Sequence, residues 1–361
     1  MSTTPKGADA TFDPTAIGSF VAAVFAAAGS SAEESRIVAD HLVEANLQGH
    51  DSHGVIRVTK YVDWCKAGQV VANRHAQVVT DSGALLVVDG QFGYGQVIGR
   101  EAMALAIERA RKHGTATLAI RNAGHLGRIG AWAEQLAAAG LASYHLVNTS
   151  GFGILVAPHG GSDRRMSANP IAAGVPVAGK PPLILDIATS LVAEGKIQVA
   201  RNKGETLPPG MILDGKGKPT TQPEVFYASP PGAILPVGAH KGSGLSFFCE
   251  VLAGALTGGG SSHPDNPTAK RLVNNMLTLA FDPAAFGSGE GFAADVARLI
   301  GWTKASPPID RGGAVLLPGE IEQRTKAERL RRGIPLDAVT RRQMAATAAS
   351  AGVPPPPGFA P

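Results

Sequence analysis

The run Gly49-His50-Asp51-Ser52-His53-Gly54-Val55-Ile56-Arg57 carries the most information about this chain. It follows a stretch with helical periodicity and places His53 four residues before Arg57. Positions i and i+4 share one face of a helix, so both side chains point the same way if a helix continues or restarts through Gly54. An imidazole exchanges protons near neutral pH, and a guanidinium grips a carboxylate. The pair suits a small carboxylate substrate; the alternative is a helix end with a capping histidine and a surface arginine.

The pattern around this run is helical. Ser31 and Glu34 form a capping box that predicts a helix reaching about Leu47, and a further helical stretch ends near Gly68. From about residue 76 the pattern changes to short strands between helices, and basic and apolar helical stretches return after residue 320. We therefore expect three segments: 1–75, 76–320 and 321–361.

The composition is that of a globular protein. The chain has 361 residues, 44% hydrophobic and 17% charged, with a net charge of +4. Few aromatic residues and interspersed charges argue against nucleic-acid binding. The first residues lack a secretory pattern, no apolar run is long enough to span a membrane, and the two cysteines are far apart. We expect a cytoplasmic protein with no membrane partner.

A glycine pattern offers one alternative fold. Gly93-Tyr-Gly95-Gln-Val-Ile-Gly99 follows a predicted strand and opens a predicted helix, close to the dinucleotide-binding fingerprint. The third glycine is one residue late, however. The next strand ends in Arg121 rather than the acidic residue that binds ribose. A Rossmann domain is therefore the less favoured interpretation, and a plain turn the more favoured one.

Other polar stretches are candidate ligand contacts. The glycine-rich loop from Arg121 to Gly130 suits a phosphate or nicotinamide, but equally a strand–helix connector. Asp186 ends an apolar strand, where it could orient a histidine or cap a helix. Lys241 lies at the start of an apolar helix, where its charge and the helix N-terminus could bind an anion. A metal at His50 and His53, which have Asp51 between them, is disfavoured, since no third ligand of fitting spacing follows; we expect no metal.

Taken together, the motifs resemble one family, the malate/L-lactate dehydrogenase-like NAD(P)-dependent oxidoreductases, which includes ureidoglycolate dehydrogenase and piperideine-2-carboxylate reductase. The resemblance covers about residue 16 to about residue 350. It rests on the opening run and on further motifs in the same order: Val88-Asp-Gly90-x-x-Gly93-x-Gly95-Gln96, Asn122-x-x-His125-x-Gly127-x-x-Gly130, Ala157-Pro158-x-Gly160-Gly161, Asn169-Pro170, Asp186-x-Ala-Thr-Ser190, Gly195-Lys196, Lys241-Gly242-x-Gly244-Leu245 and Pro318-Gly319-Glu320.

The resemblance implies a fold that is not of the Rossmann type. It implies an α+β class, with a central mixed, largely antiparallel sheet domain over 76–320 that binds the cofactor. A helical domain would form from 1–75, which carries the catalytic His53 and Arg57, and from 321–361, whose helices and proline-rich tail pack against it. A homodimer is also implied.

The resemblance further implies NAD or NADP as cofactor and a small 2-oxo acid, 2-hydroxy acid or cyclic imino acid as substrate. His53 resembles the general acid, Ser52 its relay partner and Arg57 the clamp on the substrate carboxylate. In some members the residue at the position of His125 is the proton acceptor, so His53 and His125 are alternatives. The remaining positions that resemble cofactor contacts, besides His125 itself, are Leu126, Gly127, Arg128, Ile129, Ser167, Asn169, Asp186, Ile187, Ala188, Lys241, Gly319 and Glu320.

One departure from the family pattern stands before Asn169-Pro170. Relatives often have threonine there, whereas this chain has Ala168, with Ser167 one residue earlier. A hydroxyl contact to the cofactor is then either lost or taken over by Ser167. A second functional hypothesis is a catalytically degenerate protein of the same fold that only binds a nucleotide or metabolite.

Overall fold

The computed structural model describes residues 10–268, 270–287 and 289–359. Within these ranges the helices are α1 (Pro14–Ala27), α2 (Ala32–Leu47), α3 (Arg57–Lys66), α4 (Gly95–His113), α5 (Gly130–Ala138), α6 (Glu194–Lys203), α7 (His240–Cys249), α8 (Gly289–Lys304), α9 (Glu320–Arg332) and α10 (Ala338–Ser350). Short 3₁₀ turns occupy Asp51–His53, Pro223–Tyr227 and Pro283–Phe286, and Glu250–Ala255 is π-helical.

The strands are β1 (Ala10–Phe12), β2 (Gln77–Ser82), β3 (Leu85–Asp89), β4 (Thr115–Ala123), β5 (Ala142–Gly151), β6 (Ile171–Val175), β7 (Leu183–Ile187), β8 (Ile212–Leu213), β9 (Pro219–Thr220), β10 (Ala233–Ile234), β11 (Leu272–Phe281) and β12 (Ile334–Leu336). The central sheet has the order β2-β3-β4-β11-β5-β6-β7. Only β3 and β4 pair in parallel among its described neighbours. The predicted α+β class with a mixed, largely antiparallel sheet is confirmed.

Helices cover both faces of this sheet. Successive residues of a strand point to opposite faces. On β5, Val147 packs into the core formed with α4 and α5, while its neighbour Leu146 packs against Cys249 and Ala253 of α7 and the π-helical segment. The sheet is thus buried on both sides near its middle. The loops that follow β4 and β7 lie beside the helices from the two ends of the chain.

The two ends of the chain share a second core. Ile17, Tyr61 and Met344, from α1, α3 and α10, belong to one buried cluster. The tail joins it, since the ring of Phe359 is buried and lies 5.2 Å from the ring of Phe12 and 5.1 Å from that of Phe20. Strands β1 and β12 also pair, which ties the first described residues to the C-terminal segment.

The glycine pattern at residues 93–99 has a packing role. The predicted strand, helix and strand exist as β3, α4 and β4, and the two strands are parallel. Yet a Cβ on Gly95 would lie 2.4 Å from the carbonyl oxygen of His125, and one on Gly99 would lie 2.5 Å from the ring of Trp132. The glycines let α4 approach the loop of His125 and the helix after it. The Rossmann alternative is wrong, because this single parallel unit sits in an otherwise antiparallel sheet.

Sequence reasoning missed several elements. Helix α6 and the exposed edge strand β2 were not predicted, since neither shows a clean apolar period. Helix α3 begins only at Arg57, so His53 and Arg57 do not share a continuous helix. His53 instead ends a 3₁₀ turn, and Gly54 is extended, with φ −88° and ψ −153°. The chain restarts its helix after Gly54.

Candidate active site

The turn that carries Ser52 and His53 is held from two sides. Asn46 at the end of α2 donates its side-chain amide to Asp51 (2.6 Å) and accepts from the backbone N–H of Val55 (2.7 Å). Arg329 of α9 binds both oxygens of Asp51, at 2.6 and 3.0 Å. A Cβ on Gly54 would lie 2.1 Å from Asn46, so only glycine fits there. Asp51 is therefore a structural partner of the C-terminal segment, which explains its place in the motif.

Arg57 crosses back over this turn. Its Nε donates to the carbonyl oxygen of Ser52 at 2.6 Å. In the described ranges, no protein acceptor bonds its two terminal Nη groups. A guanidinium fixed by Nε alone keeps a two-pronged donor face for a carboxylate.

His53 and His125 lie together although they are 72 residues apart in sequence. Their rings stack with centroids 5.5 Å apart and an angle of 14° between planes. The Nδ1 of His53 is 3.1 Å from the Ser52 hydroxyl. Ser52, His53, Arg57 and His125, the predicted catalytic residues, therefore form one cluster.

Two residues behind His125 complete the cluster. The Tyr61 hydroxyl is 2.6 Å from Nδ1 of His125. The side-chain Nε2 of Gln96 donates both to that hydroxyl and to the carbonyl oxygen of His125, at 3.1 Å each. In the sequence, Tyr61 lies in the helical stretch that ends near Gly68. Gln96 lies in the glycine pattern at residues 93–99 and ends one of the family motifs. The available signal was polar side chains next to the histidine motifs, but only the fold shows that they meet.

Burial and positive charge keep the two imidazoles neutral. Burial, followed by the charge of Arg57, lowers the pKa of His53 to about 3. Burial and Arg57 also lower the pKa of His125 well below its usual value. Burial raises the pKa of Tyr61 to about 12, against the opposing effects of Arg57 and Gln96. In the absence of substrate the cluster holds its protons as neutral groups at neutral pH.

The loop after His125 is pinned rather than free. The backbone N–H of Leu126 donates to Asn274 of β11 at 2.8 Å, and the N–H of Arg128 donates to Nε2 of His41 at 3.0 Å. Gly127 has φ +73°, and a Cβ there would lie 2.3 Å from the His41 ring. Ile129 is buried and precedes α5. The loop residues are thus fixed beside the cluster.

A cavity of about 400 Å³ adjoins this loop and contains three of the predicted cofactor contacts, Arg128, Asp186 and Gly319. Arg128 is buried and bonds Glu134 through Nη2, while its Nη1 has no partner in the ranges described. The N–H of Gly130 donates to Asp186 at 2.8 Å. A Cβ on Gly130 would lie 2.6 Å from Arg128 Nη1 and 2.9 Å from Asp186. Glycine therefore keeps room beside a buried donor that lacks a partner, as a polar cofactor needs.

The electrostatics of this cavity are mixed. Burial raises the pKa of the Asp186 carboxyl, although His50, the Gly130 N–H and Arg128 oppose the shift. Glu44, Glu322 and Lys326 line the cavity; Lys326 pairs with Glu44 at 2.6 Å, and Glu322 lies 3.4 Å from His50. The wall offers donors and acceptors for hydroxyl and phosphate groups alike.

Ser167, Asn169 and Lys241 do not line that cavity. Asn169 is fully buried, donates to Glu250 (2.7 Å) and Ser246 (3.0 Å), and accepts from the Thr149 backbone (3.1 Å). The Ser167 carbonyl faces the Ser246 hydroxyl at 3.4 Å. Asn169 thus ties its loop to α7, at whose start the exposed Lys241 lies. The side-chain hydrogen bonds of Asn169 are made to other residues of the protein, so Asn169 positions this loop.

Three more predicted contacts have distinct settings. Ile187 is exposed and Ala188 half-buried, both directly after Asp186. Glu320 does not point to the cavity; its carboxylate accepts from the Leu317 N–H (3.0 Å) and from Lys304 (2.6 Å). These contacts lower the pKa of Glu320, with the Lys304 hydrogen bond as the largest cause. Glu320 therefore stabilises the turn that presents Gly319.

The described residues contain neither a candidate metal cluster nor a helix suited to span a membrane. No group of three or more His, Cys, Asp or Glu side chains in these ranges could hold a metal ion. No helix in the part of the chain that the structure describes is both long and apolar enough to cross a bilayer.

Comparison with known proteins points in one direction. The family model of malate/L-lactate dehydrogenase matches residues 12–345. Hydroxycarboxylate dehydrogenase B of Escherichia coli (strain K12) is 44% identical over 345 residues, 95% of each chain. The delta(1)-pyrroline-2-carboxylate/delta(1)-piperideine-2-carboxylate reductase of Pseudomonas syringae pv. tomato is 34% identical and covers 86% of this chain and 88% of its own. The crystal structure of malate dehydrogenase from Entamoeba histolytica superimposes with a TM-score of 0.89 at 25% identity, covering 96% of this chain and 99% of its own.

Proposed function

This chain belongs to the malate/L-lactate dehydrogenase family, and from that premise we propose that it is an NAD(P)-dependent oxidoreductase of small 2-hydroxy and 2-oxo acids or cyclic imino acids. The observation that carries the proposal is the meeting of Ser52, His53, Arg57 and His125 in one cluster. In the oxidative direction a hydroxy acid loses a hydride from carbon and a proton from oxygen. The chain must hold the carboxylate and move that proton.

The cofactor would lie in the cavity beside the cluster. When bound, the nicotinamide supplies or accepts the hydride. Arg128, Asp186 and Gly319 would hold the cofactor, and Gly130 would leave it room. The buried and unpartnered Nη1 of Arg128 is the strongest support, because such a donor costs stability until a ligand satisfies it. The neighbouring loop of Leu126, Gly127 and Ile129 would border the cofactor without separating it from the substrate.

Arg57 would bind the substrate carboxylate. Its two Nη groups are free of protein acceptors in the described ranges, and Nε is fixed on Ser52. A bidentate pair orients the neighbouring carbonyl or hydroxyl carbon as well as holding the acid.

His53 would exchange the proton with the substrate oxygen. The partner of its Nδ1 is the Ser52 hydroxyl, which can either donate or accept as it rotates. Both protonation states of His53 therefore keep a hydrogen bond. We propose His53 as the acid and base, with His125 contacting the same oxygen as a hydrogen-bond donor.

A panel of substrates tests the function directly. The protein is mixed with NADH or NADPH and a series of 2-oxo acids and cyclic imino acids, and the nicotinamide absorbance is followed. We expect oxidation of the reduced cofactor with at least one acid, because proton donor and carboxylate clamp are both in place. Tight nucleotide binding without turnover across the panel would favour the degenerate binding protein instead.

We further propose that the protein forms a homodimer through α7 and the π-helical segment. One side of this element is packed on the sheet through Cys249 and Ala253. The other side exposes Leu245, Phe247, Phe248, Val251 and Leu256, each at least 40% exposed. A row of large apolar side chains on one helix is typical of a protein interface. A second copy is the occupant that the family resemblance implies.

Replacing Phe248 with glutamate is expected to shift the dimer to monomer. Burying a phenylalanine contributes roughly 1.5–3 kcal/mol, and a symmetric interface loses that contribution twice. Light scattering coupled to size exclusion measures the mass. Val79→Glu is the matched control, because Val79 is 41% exposed on the far edge strand β2. A dimer that persists in F248E at micromolar concentration would refute this interface.

The proposal includes a reducing, cytoplasmic setting. Cys65 and Cys249 are both free thiols. Cys249 is buried, and burial raises its pKa to about 12, so it acts as a packing residue rather than a reactive thiol. Free cysteines of this kind are typical of reducing compartments.

A further inference from the structure

We infer that Gln96, acting through Tyr61, fixes His125 as the neutral tautomer that carries its hydrogen on Nε2. The inference deepens the proposed function and rests on it, since it makes His125 a fixed hydrogen-bond donor to the substrate oxygen. Gln96 and Tyr61 are positioning residues in this scheme, because they act only through His125. The directions of three hydrogen bonds, from Gln96 to the His125 carbonyl, from Gln96 to Tyr61 and from Tyr61 to His125, fix this tautomer.

The first step fixes the orientation of the Gln96 amide. Oxygen and nitrogen of a glutamine side chain are distinguished by their partners. One contact of Gln96 is the carbonyl oxygen of His125, at 3.1 Å, and a carbonyl can only accept. The atom facing it must therefore be the NH₂ group. The same NH₂ group is 3.1 Å from the Tyr61 hydroxyl, so Gln96 donates to Tyr61 as well.

The second step fixes the Tyr61 proton. The hydroxyl oxygen accepts from Gln96 and has one hydrogen of its own to donate. Within the described residues its only other hydrogen-bond partner is Nδ1 of His125, at 2.6 Å. If Nδ1 carried a hydrogen and donated, the buried Tyr61 hydrogen would have no acceptor, which costs stability. Tyr61 therefore donates and Nδ1 accepts.

The third step concerns the remaining nitrogen of His125. A neutral imidazole whose Nδ1 accepts carries its hydrogen on Nε2. In the described ranges no protein atom bonds this Nε2, and the ring stacks on His53. The hydrogen is thus left for a ligand in the catalytic cluster. Protonation of Nδ1 would force Tyr61 to reverse its bond against the Gln96 donor, so His125 is held in one state.

The inference also explains why α4 starts as it does. Gly95 allows the helix to come within contact distance of the His125 carbonyl, where any Cβ would clash at 2.4 Å. Gln96, the next residue, is fully buried and reaches both of its acceptors from there. The glycine pattern that resembles a pyrophosphate loop instead brings an amide to the catalytic histidine.

The tautomer can be read without any activity. The full chain is labelled with ¹⁵N-histidine, and the His125 signals are assigned by their loss in His125→Asn. We expect an unprotonated Nδ1 and a protonated Nε2. In Gln96→Glu the carboxylate cannot donate but can accept the Tyr61 hydrogen, so the hydrogen of His125 should move to Nδ1. A native His125 with its hydrogen on Nδ1, or a Q96E spectrum identical to native, would overturn the inference.

Kinetics provide the second readout. Q96E and Tyr61→Phe should lower kcat by about 10- to 100-fold with little change in KM, as loss of a partner that orients a functional histidine does. Tyr94→Phe is the matched control. It removes a buried hydroxyl that has no hydrogen-bond partner among the described residues, from a ring whose centroid lies 6.2 Å from that of Tyr61. It should keep native turnover and the native tautomer.

The role of His125 in the proposed function and the tautomer of its ring are tested by separate outcomes. If His125→Asn turns over at the native rate while the native ring shows the expected tautomer, the proposed role of His125 is wrong and the hydrogen-bond assignment stands. If His125→Asn is inactive but the hydrogen lies on Nδ1, the proposed function stands and the inference is wrong. Should Q96E fail to fold, the tautomer in the native spectrum and the kcat of Y61F still test the inference.

Discussion

Replacing His53 with alanine is expected to lower kcat for the reduction of a 2-oxo acid by roughly 10²–10⁴-fold, the usual contribution of a general acid. The physical reason is that the Nδ1 of His53 is bonded to the Ser52 hydroxyl, and this hydroxyl keeps its hydrogen bond whether His53 is neutral or protonated. In the cluster, only His53 has such a partner. Stopped-flow measurement of the nicotinamide absorbance with saturating substrate gives kcat. His113→Ala, at an exposed histidine near the end of α4, is the control and should keep native turnover.

The pH dependence adds a second check on the same residue. Burial and Arg57 lower the pKa of His53 to about 3, so above that value the free enzyme holds the neutral ring. Reduction consumes a proton, which must come from the small fraction of enzyme in which His53 is protonated. Because this fraction grows tenfold for each pH unit, kcat/KM for reduction should rise by about tenfold per unit as pH falls from about 8 to 5. Oxidation uses the neutral ring and should show no acidic limb in that range. His53 is rejected as the acid if H53A has near-native turnover, or if H53A keeps the native dependence of kcat/KM on pH.

Replacing Arg57 with alanine is expected to reduce kcat/KM for carboxylate substrates by roughly 10²–10⁴-fold, since each of two charge-assisted hydrogen bonds contributes about 1.5–3 kcal/mol. The loss should appear mainly in KM. Initial rates over a range of substrate concentration measure it. Arg57→Lys keeps the charge but loses the planar fork, so an intermediate loss is expected.

Two controls separate the clamp from general damage to the turn. The amide of the same oxo acid lacks the carboxylate, and its rate should be nearly equal in the native protein and in R57A. Arg36→Ala removes an arginine from an exposed pair with Asp40 and should change nothing. Equal losses for acid and amide in R57A would mean that Arg57 matters only through its bond to Ser52.

The catalytic histidines show how far sequence patterns reach. The opening run and the His125 motif predict Ser52, His53, Arg57 and His125 as catalytic residues, and the structure brings these four side chains together. The expected helical alignment of His53 and Arg57 was wrong, because Gly54 interrupts the helix to make room for Asn46. Spacing predicts a shared face only where the backbone stays helical.

The cofactor contacts show where the sequence falls short. Arg128, Asp186 and Gly319 meet at one cavity, while the side chains of Asn169 and Glu320 are used by the protein itself. All five stand in short motifs of the family resemblance, and for four of the five the motif contains glycine or proline. Whether such a side chain faces a ligand or a neighbouring helix depends on partners far away in sequence, and no local pattern records them.

The family and the candidate catalytic side chains can be predicted from the sequence, because a histidine and an arginine stand beside a serine in motifs ordered as in the malate/L-lactate dehydrogenases. The sequence also determined most helices, because their apolar periods and caps are local properties. The tertiary structure alone decided which nitrogen of His125 carries its hydrogen. That choice depends on Tyr61 and Gln96, which lie 64 and 29 residues away from His125 and reach it only because Gly95 lets α4 touch its loop. Hydrogen-bond direction follows from contact, and contact at that separation is a property of the fold.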